Sequence, residues 1–566
     1  MAAVAVAAVA AVAGAAATKQ VAFSAILFLK RAGPTAGSFF SLSMKKRILW
    51  LSLALVAGQA GHAFAQNASD ALRYSHLQFG GPARTQGIAG ANVALGADFG
   101  NLSSNPAGLG LFQKSEFHIT PGIGLGQSDS RIEGNTAASQ NETKNSFHIA
   151  SLGAVFATRH PDGDESAWRG GALALGFTRL ADFNTGTLYQ GNISNNQSFL
   201  NQYQPEARVL KPGNDFASLR SQYSSEKYTT DIGQLYGAFL ADIRKTRAGA
   251  DSAVALRTQG STLAQGQSVL SSGSLSQFDI GYGGNYRDRL YIGGAIGFVS
   301  SNYTRVRSLT ESDNDPNTYF ESLNYRTDLG VKGSGINGRL GIIVRALDNV
   351  RFGASVQTPT FMRFTETFST SLVGTFSTRG TDHVPNDLPV GRGDVATQNY
   401  PDYAYTINTP FRANGGVAVT LGKHGFITGD VEYVGYPQAR LHNAPNDANG
   451  SSYTFGPENA GIQSQLQNAV NVRVGAEGRF DVFRLRAGVA RYGDPYKNNN
   501  GDGVQNFFTA GAGLRQGNFF LDAAAVYTTY NQYYTPYNMA YANVSAINIK
   551  TNATRYTTSV TAGITF

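Results

Sequence analysis

Few residues in this chain stand where their types and spacing could do chemistry. Asp430 and Glu432 lie two apart, on one face of a predicted strand, and paired carboxylates can exchange a proton. Arg473, Arg484 and Arg486 on neighbouring predicted strands give them a simpler task, as ion-pair partners in a polar interior. Asn498, Asn500, Asp502 and Gly503 begin like a calcium loop, yet the twelfth position is Thr509 where a bidentate Glu is required. Asp313 and Asp315 beside Pro316 offer a weaker ligand set. The run Gly333-Ser334-Gly335-Ile336-Asn337-Gly338 fits the dinucleotide pattern, but it leads into Leu340, Ile342 and Val344, which alternate as a strand; without a helix to follow, a phosphate would meet no N-terminal dipole. The 8 His are scattered from His62 to His442 with no metal-binding spacing, and His118 and His148 read as strand positions. Cysteine is absent, which removes disulfides, thiolate metal sites and Cys nucleophiles. No nucleophile signature, cofactor motif or metal site emerges, and the chain does not read as an enzyme.

The elements that carry these residues are more informative. Tyr556, Thr558, Val560, Ala562, Ile564 and Phe566 alternate with Arg555, Thr557, Ser559, Thr561, Gly563 and Thr565, so one face suits lipid and the other a polar interior. Val470, Val472, Val474, Ala476 and Phe480 alternate with Asn471, Arg473, Gly475, Glu477 and Arg479. Phe483, Leu485, Ala487 and Val489 are set against Arg484 and Arg486. Such charges turned toward lipid would cost about 2–4 kcal/mol each near the midplane, so they face inward. Composition agrees: 66 Gly, 34 Phe and 27 Tyr against 2 Trp and 15% charged residues suit many short strands with aromatic anchors.

Segments of this kind recur near 115–124, 144–158, 168–183, 273–287, 289–309, 318–346 and 349–376. Seven more follow near 400–421, 425–440, 467–480, 482–493, 503–515, 518–534 and 553–566. Tight turns such as Arg287-Asp288, Leu347-Asp348, Gly422-Lys423 and Gln516-Gly517 alternate with long polar loops, the rhythm of short periplasmic turns and long outer loops. The expected fold is all-β: a transmembrane antiparallel barrel of about fourteen strands, residues 115–566. Its largest loop, 184–272, reads as an extracellular cap with a short amphipathic helix over Asp231 to Ile243. Two further strands in that loop, giving sixteen, are the alternative, which its Ser/Gln-rich composition disfavours.

Compartment is read from the beginning of the chain. Lys45-Lys46-Arg47, an apolar stretch from Ile48 to Ala57 and Ala63-Phe64-Ala65 make a secretory signal peptide over 44–65. The apolar stretch is about half the roughly 20 residues of a spanning helix. Residues 1–43 are an Ala/Val-rich extension, read as an over-extended start before Met44. The formal charge of +8 resides here too: Lys19, Lys30, Arg31, Lys45, Lys46 and Arg47 precede the cleavage point with no acid among them, and their removal leaves 40 basic against 38 acidic residues. A nucleic-acid partner is therefore not expected. After Gln66 no apolar run is long enough for a helix to cross a bilayer, so a membrane protein with this sequence must be a closed barrel in a Gram-negative outer membrane.

Residues 66–114 show little alternation but are rich in Gly and Ala, including Gly80-Gly81, Gly87, Gly90 and Gly108-Leu109-Gly110. A stretch this apolar is expected to fold into the lumen as a plug rather than hang free. Here Ala83-Arg84-Thr85-Gln86-Gly87-Ile88-Ala89-Gly90-Ala91, Val93-Ala94-Leu95 and Asn105-Pro106-Ala107-Gly108-Leu109 resemble the FadL/TodX family of outer-membrane transporters for long-chain fatty acids and other hydrophobic compounds. Gly333-Ser334-Gly335-Ile336-Asn337, Arg351-Phe352-Gly353-Ala354-Ser355 and Thr358-Pro359-Thr360 resemble the family's mid-barrel hairpin. The resemblance runs from about Gln66 to the end.

That resemblance implies a fourteen-stranded barrel plugged by an N-terminal hatch over 66–114. Asn105, Pro106, Ala107 and Gly108 would act in gating. It implies ligand release sideways through a gap made by an inward kink of the third strand, here Gly170 to Phe183, with Arg179, Leu180, Asp182, Phe183 and Asn184 at its outer end. Phe566 matches the terminal aromatic read by the outer-membrane assembly machinery. The implied partners are a hydrophobic small molecule and outer-membrane lipid, with no cofactor, and the implied state is a monomer. A general porin would need an open lumen, and a surface adhesin would concentrate function in 184–272. A lipase or protease barrel would need a residue constellation that is not found. N-terminal sequencing of the mature protein is expected to give a start near Gln66; any other start removes the assigned leader.

Overall fold

The computed structural model describes residues 68–161, 163–203, 215–245, 251–255, 262–313, 315, 318–376, 391–393, 395–444, 453–497, 503–539 and 544–566. The assigned leader and the extension before it, Pro316, and the calcium-loop candidates Asn498, Asn500 and Asp502 lie outside the described residues.

A closed antiparallel barrel of 14 strands encloses the N-terminal segment. The strands are β1 (Glu116–Ile132), β2 (Gln140–Arg159), β3 (Trp168–Asp182, then Thr185–Ile193), β4 (Leu263–Tyr286), β5 (Leu290–Asp313), β6 (Phe320–Arg345) and β7 (Val350–Gln357, Phe361–Phe376). β8 runs in pieces (Gly391–Arg392, Ala396–Asn399, Tyr403–Asn408, Arg412–Thr420) and is followed by β9 (Gly425–Val434, Arg440–Asn443), β10 (Ala469–Phe480), β11 (Phe483–Tyr492), β12 (Gln505–Gln516), β13 (Phe519–Tyr534) and β14 (Ile549–Thr565). Closure comes from β1 against β14, registered from Glu116↔Thr565 to Ile132↔Ile549, and Ser115 and Phe566 exchange both backbone bonds at 3.0 Å. Among the described residues no helix is long and apolar enough to cross a membrane.

The alternation seen in the sequence fixes which face is which. On β10, Val470, Val472 and Val474 face out while Asn471 and Arg473 are buried, and a slip of one residue would reverse every one of them. Phe117, Trp168, Leu347, Phe352, Phe480, Phe483, Phe519 and Phe566 form an exposed belt at the end of the barrel that carries the short turns. From Phe480 to Val470 the apolar face covers roughly 25 Å once strand tilt is allowed for, the height of a hydrocarbon core.

Inside, the charges meet one another. Glu432 receives Arg412 (2.9 Å) and Arg473; Arg486 bridges Glu477 and Asp522, each at 2.7 Å; Arg339 meets Asp279. The carboxylates Asp430 and Glu432 thus serve the wall, Asp430 accepting the Val93 N–H at 3.0 Å.

The enclosed segment contains helix α1 (Ala68–Ser75), two short turns of helix, α2 (Ala83–Gly87) and α3 (Asn101–Ser104), and a 3-10 helix over Pro106–Leu111. Wall side chains reach its backbone from all round: Arg339 to Leu102 O (3.3 Å), Arg351 to Leu95 O (2.6 Å), Ser355 to Ser104 O (2.7 Å), Thr509 to Gly87 O (2.9 Å) and Arg412 to Ser75 O. A buried carbonyl without such a partner would cost about 1–3 kcal/mol. Glycine on the inner wall lets the segment come close. A Cβ at Gly353 would stand 2.3 Å from Val93 O, one at Gly475 2.6 Å from Ile88 O, and one at Gly293 2.4 Å from Pro106 O.

The structure corrects three expectations. The large loop is shorter than 184–272, because β3 resumes at Thr185 and β4 begins at Leu263. Residues 263–272 project above the apolar belt, where no face needs to be greasy, so alternation fades while backbone pairing continues. The helix expected over Asp231 to Ile243 stops at Gly237 (α5, Asp231–Gly237), and Ala241–Lys245 pairs with Asp251–Ala255 as a small separate ribbon. Several strands, including β1, β2 and β14, extend farther outward than the sequence suggested, for the same reason. The loop is nonetheless packed: Leu219 of α4 (Phe216–Ser225) and Ile232 and Leu235 of α5 cluster with Phe199, Leu309, Leu323 and Phe376.

Replacing Glu432 by Gln leaves Arg412 and Arg473 buried without their carboxylate. Removing one partner from such a group costs about 3–5 kcal/mol. Denaturant unfolding of the detergent-refolded barrel is expected to show a lower midpoint for Glu432→Gln.

Candidate functional site

Among the described residues a long stretch of the barrel wall beside β2 lacks a neighbouring strand partner. β2 pairs with β1 from Gln140 to Val155, but pairs with β3 only from Arg159↔Gly170 to Ser151↔Thr178. Among the described residues, the other edge of β2 from Gln140 to Ala150 has no strand against it. The strands on both sides of the break carry irregularities. Pro121 on β1 has no N–H to give, and a register shift between Thr120 and Pro121 leaves Ala150 as an extra residue on β2. On β3 a second shift sets Leu180 outside the register with β4.

Beyond that point β3 turns inward. Asp182 shapes the turn by accepting the Asn184 backbone N–H (2.8 Å) and side-chain amide (2.9 Å) on Oδ1, while Phe183 N–H donates to Gly273 O at 3.0 Å. The chain then passes along the inner side of β1, where Ser128 donates to Gly186 O at 2.5 Å, and pairs again with β4 from Thr185↔Ser271. Three cavities converge here. A cavity of about 430 Å³ is lined by Leu72, Arg73, His76, Gln127, Phe183 and Tyr496 among others. A second of about 70 Å³ touches Phe79, His148, Ala150, Arg179 and Leu180, directly behind the unpaired edge of β2. A third of about 10 Å³ is bounded largely by Tyr74, Leu77, Leu180, Leu275, Val299 and Met362. Burial and the nearby Arg412 guanidinium hold the His76 imidazole well below its usual value, so it stands neutral at the cavity wall.

The residues expected to act together at the third strand, Arg179, Leu180, Asp182, Phe183 and Asn184, are brought together at this kink. Asn105, Pro106, Ala107 and Gly108 lie lower in the lumen, against the inner faces of β4, β5 and β6 at Gly283, Gly293 and Gly341. The Asn105 side chain is fully buried and accepts the Ala107 N–H (3.2 Å), capping the 3-10 helix. Its amide donates to Val93 O (2.7 Å) and Ile342 O (3.2 Å). A Cβ at Gly341 would lie 1.8 Å from Asn105 Oδ1, so the wall is cut to fit this side chain. Phe566 is exposed at the barrel seam.

No family model matches the chain, and no curated protein does. Among solved structures the chain is similar to the toluene transporter TodX of Pseudomonas putida, at 11% identity over 86% of this chain and 99% of that one, with a TM-score of 0.46. It is similar also to a FadL homologue of Pseudomonas aeruginosa (11% identity, 86% and 99% covered, TM-score 0.47) and to the Ralstonia pickettii toluene transporter TbuX (13%, 86% and 99%, 0.44). Identity this low and superposition this loose fix no side chain, so the site has to be read from its own geometry.

Several residues at the kink carried no signal in the sequence. Gln78 N–H donates to Leu180 O at 2.8 Å, and a Cβ on Gly80 would stand 2.1 Å from Arg179 O, so the enclosed segment touches β3 at its bend. His148 reads in the sequence only as a strand position, Ser146 carries no mark, and Arg555 is one more polar residue of the last strand. Only the Gly80-Gly81 pair hinted at close approach.

Replacing Asn105 by Ala strips the amide donor from two buried carbonyls, worth about 1–3 kcal/mol. Proteolysis of the folded barrel is expected to cut within 68–112 faster in Asn105→Ala than in the wild type, while the heat-modifiable barrel band persists. Equal cutting would show that Asn105 does not hold the segment.

Proposed function

We propose that this chain is a passive outer-membrane transporter of hydrophobic small molecules, which enter the lumen from the outer side and leave sideways into the bilayer. Convergence of the three cavities on the β3 kink, beside the unpaired edge of β2, is the observation that carries this reading. In a bilayer an open strand edge exposes unpaired N–H and C=O groups, which are tolerated only where they line a cavity or passage. An apolar ligand gains roughly 0.8 kcal/mol for each CH₂ it buries, so passage into a watery periplasm is opposed whereas passage into acyl chains is not.

The larger cavity combines Leu72, Phe183, Tyr530 and Tyr534 with Arg73, His76 and Gln127. That lining suits a compound with an apolar body and a small polar end. Long-chain fatty acids are one such class. The segment 68–112 is read as the hatch, with Asn105 and Pro106 holding the carbonyls and turns that would shift during transfer, and Phe566 as the assembly signal. A general porin is disfavoured because this segment crosses the lumen.

Ala181 is buried and lines both the larger cavity and the one behind the gap. Replacing it by Phe should plug the passage. Cells carrying Ala181→Phe are expected to lose at least about tenfold in the initial uptake rate of radiolabelled oleate or toluene, a block of about 1.4 kcal/mol or more. Undiminished uptake with the bulky side chain in place would rule out this route.

A further inference from the structure

Gln78, Ala181, Asp182, Thr528 and Arg555 line both the larger cavity and the one behind the gap, so the boundary between them consists of these side chains. One charged contact crosses that boundary: Arg555 Nη2 meets Asp182 Oδ1 at 2.7 Å. Around the barrel β14 and β3 are not neighbours, because β1 and β2 stand between them. The ion pair therefore spans two strands on the inner side of the wall. Ser146 of β2 sits beneath it, within 3.2 Å of Asp182 Oδ2 and 3.3 Å of Arg555 Nη2.

We propose that the Asp182–Arg555 ion pair is the bar of the lateral gate: closed, it separates the luminal cavity from the opening beside β2, and its breaking lets ligand through. This rests on the transporter reading above and names the residues that regulate its passage. Both side chains are partly exposed to the cavities, 14% and 13%, so water can take over their hydrogen bonds when the pair separates. Asp182 also keeps a second cation, Arg179, at 3.0 Å on its other oxygen. When Arg555 swings away the carboxylate is not left without a counter-charge, and the guanidinium turns toward the wet cavity. Oδ1 accepts Arg555 as well as the Asn184 backbone and side-chain N–H groups that shape the kink, and Oδ2 takes Arg179 and Ser146, so the kink's own bonds are separate from the Arg555 contact.

That separation makes Arg555→Gln the informative variant, since the kink keeps all its own bonds. Uptake is measured in intact cells with the full-length protein, using radiolabelled oleate and the neutral dye 1-N-phenylnaphthylamine. Arg555→Gln is expected to raise the initial rate roughly fivefold or more for both probes, as expected if a barrier contact of this size is lost. Arg555→Lys, which keeps the charge, should stay within about twofold of the wild type. Adding Ala181→Phe to Arg555→Gln should abolish the gain, because the bar and the plug act on one passage. An unchanged or slower rate in Arg555→Gln, with normal wild-type uptake, overturns the bar and leaves the transporter reading standing. No uptake of any probe by the wild type overturns both.

Discussion

Everything in this molecule depends on how the enclosed segment's backbone finds hydrogen bonds inside a barrel too wide for its own side chains to fill. A fourteen-stranded wall leaves a lumen, and a folded chain placed there brings carbonyls and amides that water no longer serves. The inner face answers with Arg339, Arg351, Ser355, Arg412 and Thr509 as donors and Asp430 as an acceptor. Two of these arginines, Arg339 and Arg412, are themselves held by carboxylates. The carboxylates Asp279 and Glu432 are therefore structural counter-charges, which is why a paired-acid motif on β9 has no catalytic meaning.

At the kinked third strand the wall gives up regular pairing with β2. Leaving the Gln140–Ala150 edge open sacrifices ladder bonds, and the bulge at Ala150 lies where the β2–β3 ladder ends at Ser151↔Thr178. Inward displacement of β3 then does two things at once. It makes the opening, and it supplies the surface that separates the opening from the lumen. Phe183 extends that surface, packing edge-on against Tyr74 of α1 (6.1 Å) and Tyr303 of β5 (5.6 Å).

Much of this architecture was legible in the sequence because lipid and a polar lumen impose opposite demands on alternate residues. Val470 to Phe480 and Tyr556 to Phe566 reported their faces directly. The same logic explains where the reading weakened. Above the apolar belt, residues 263–272 and 140–145 carry polar residues on both faces, so pairing continued with no periodic trace. The site was visible only as a resemblance centred on Asn105-Pro106 and on 179–184. Long-range partners such as Arg555, Ser146 and Gln78 are joined to that kink by topology, and nothing in their neighbours along the chain marks them. The many inner-wall glycines carry no such trace: at Gly293, Gly353 and Gly475 the enclosed backbone rests against the wall, and at Gly341 the Asn105 side chain does.

The mutual bonds of Ser115 and Phe566 tie the chain's last residue to the point where the enclosed segment passes into β1. With that seam shut, neither the first strand nor the last offers an edge there for another chain to pair with.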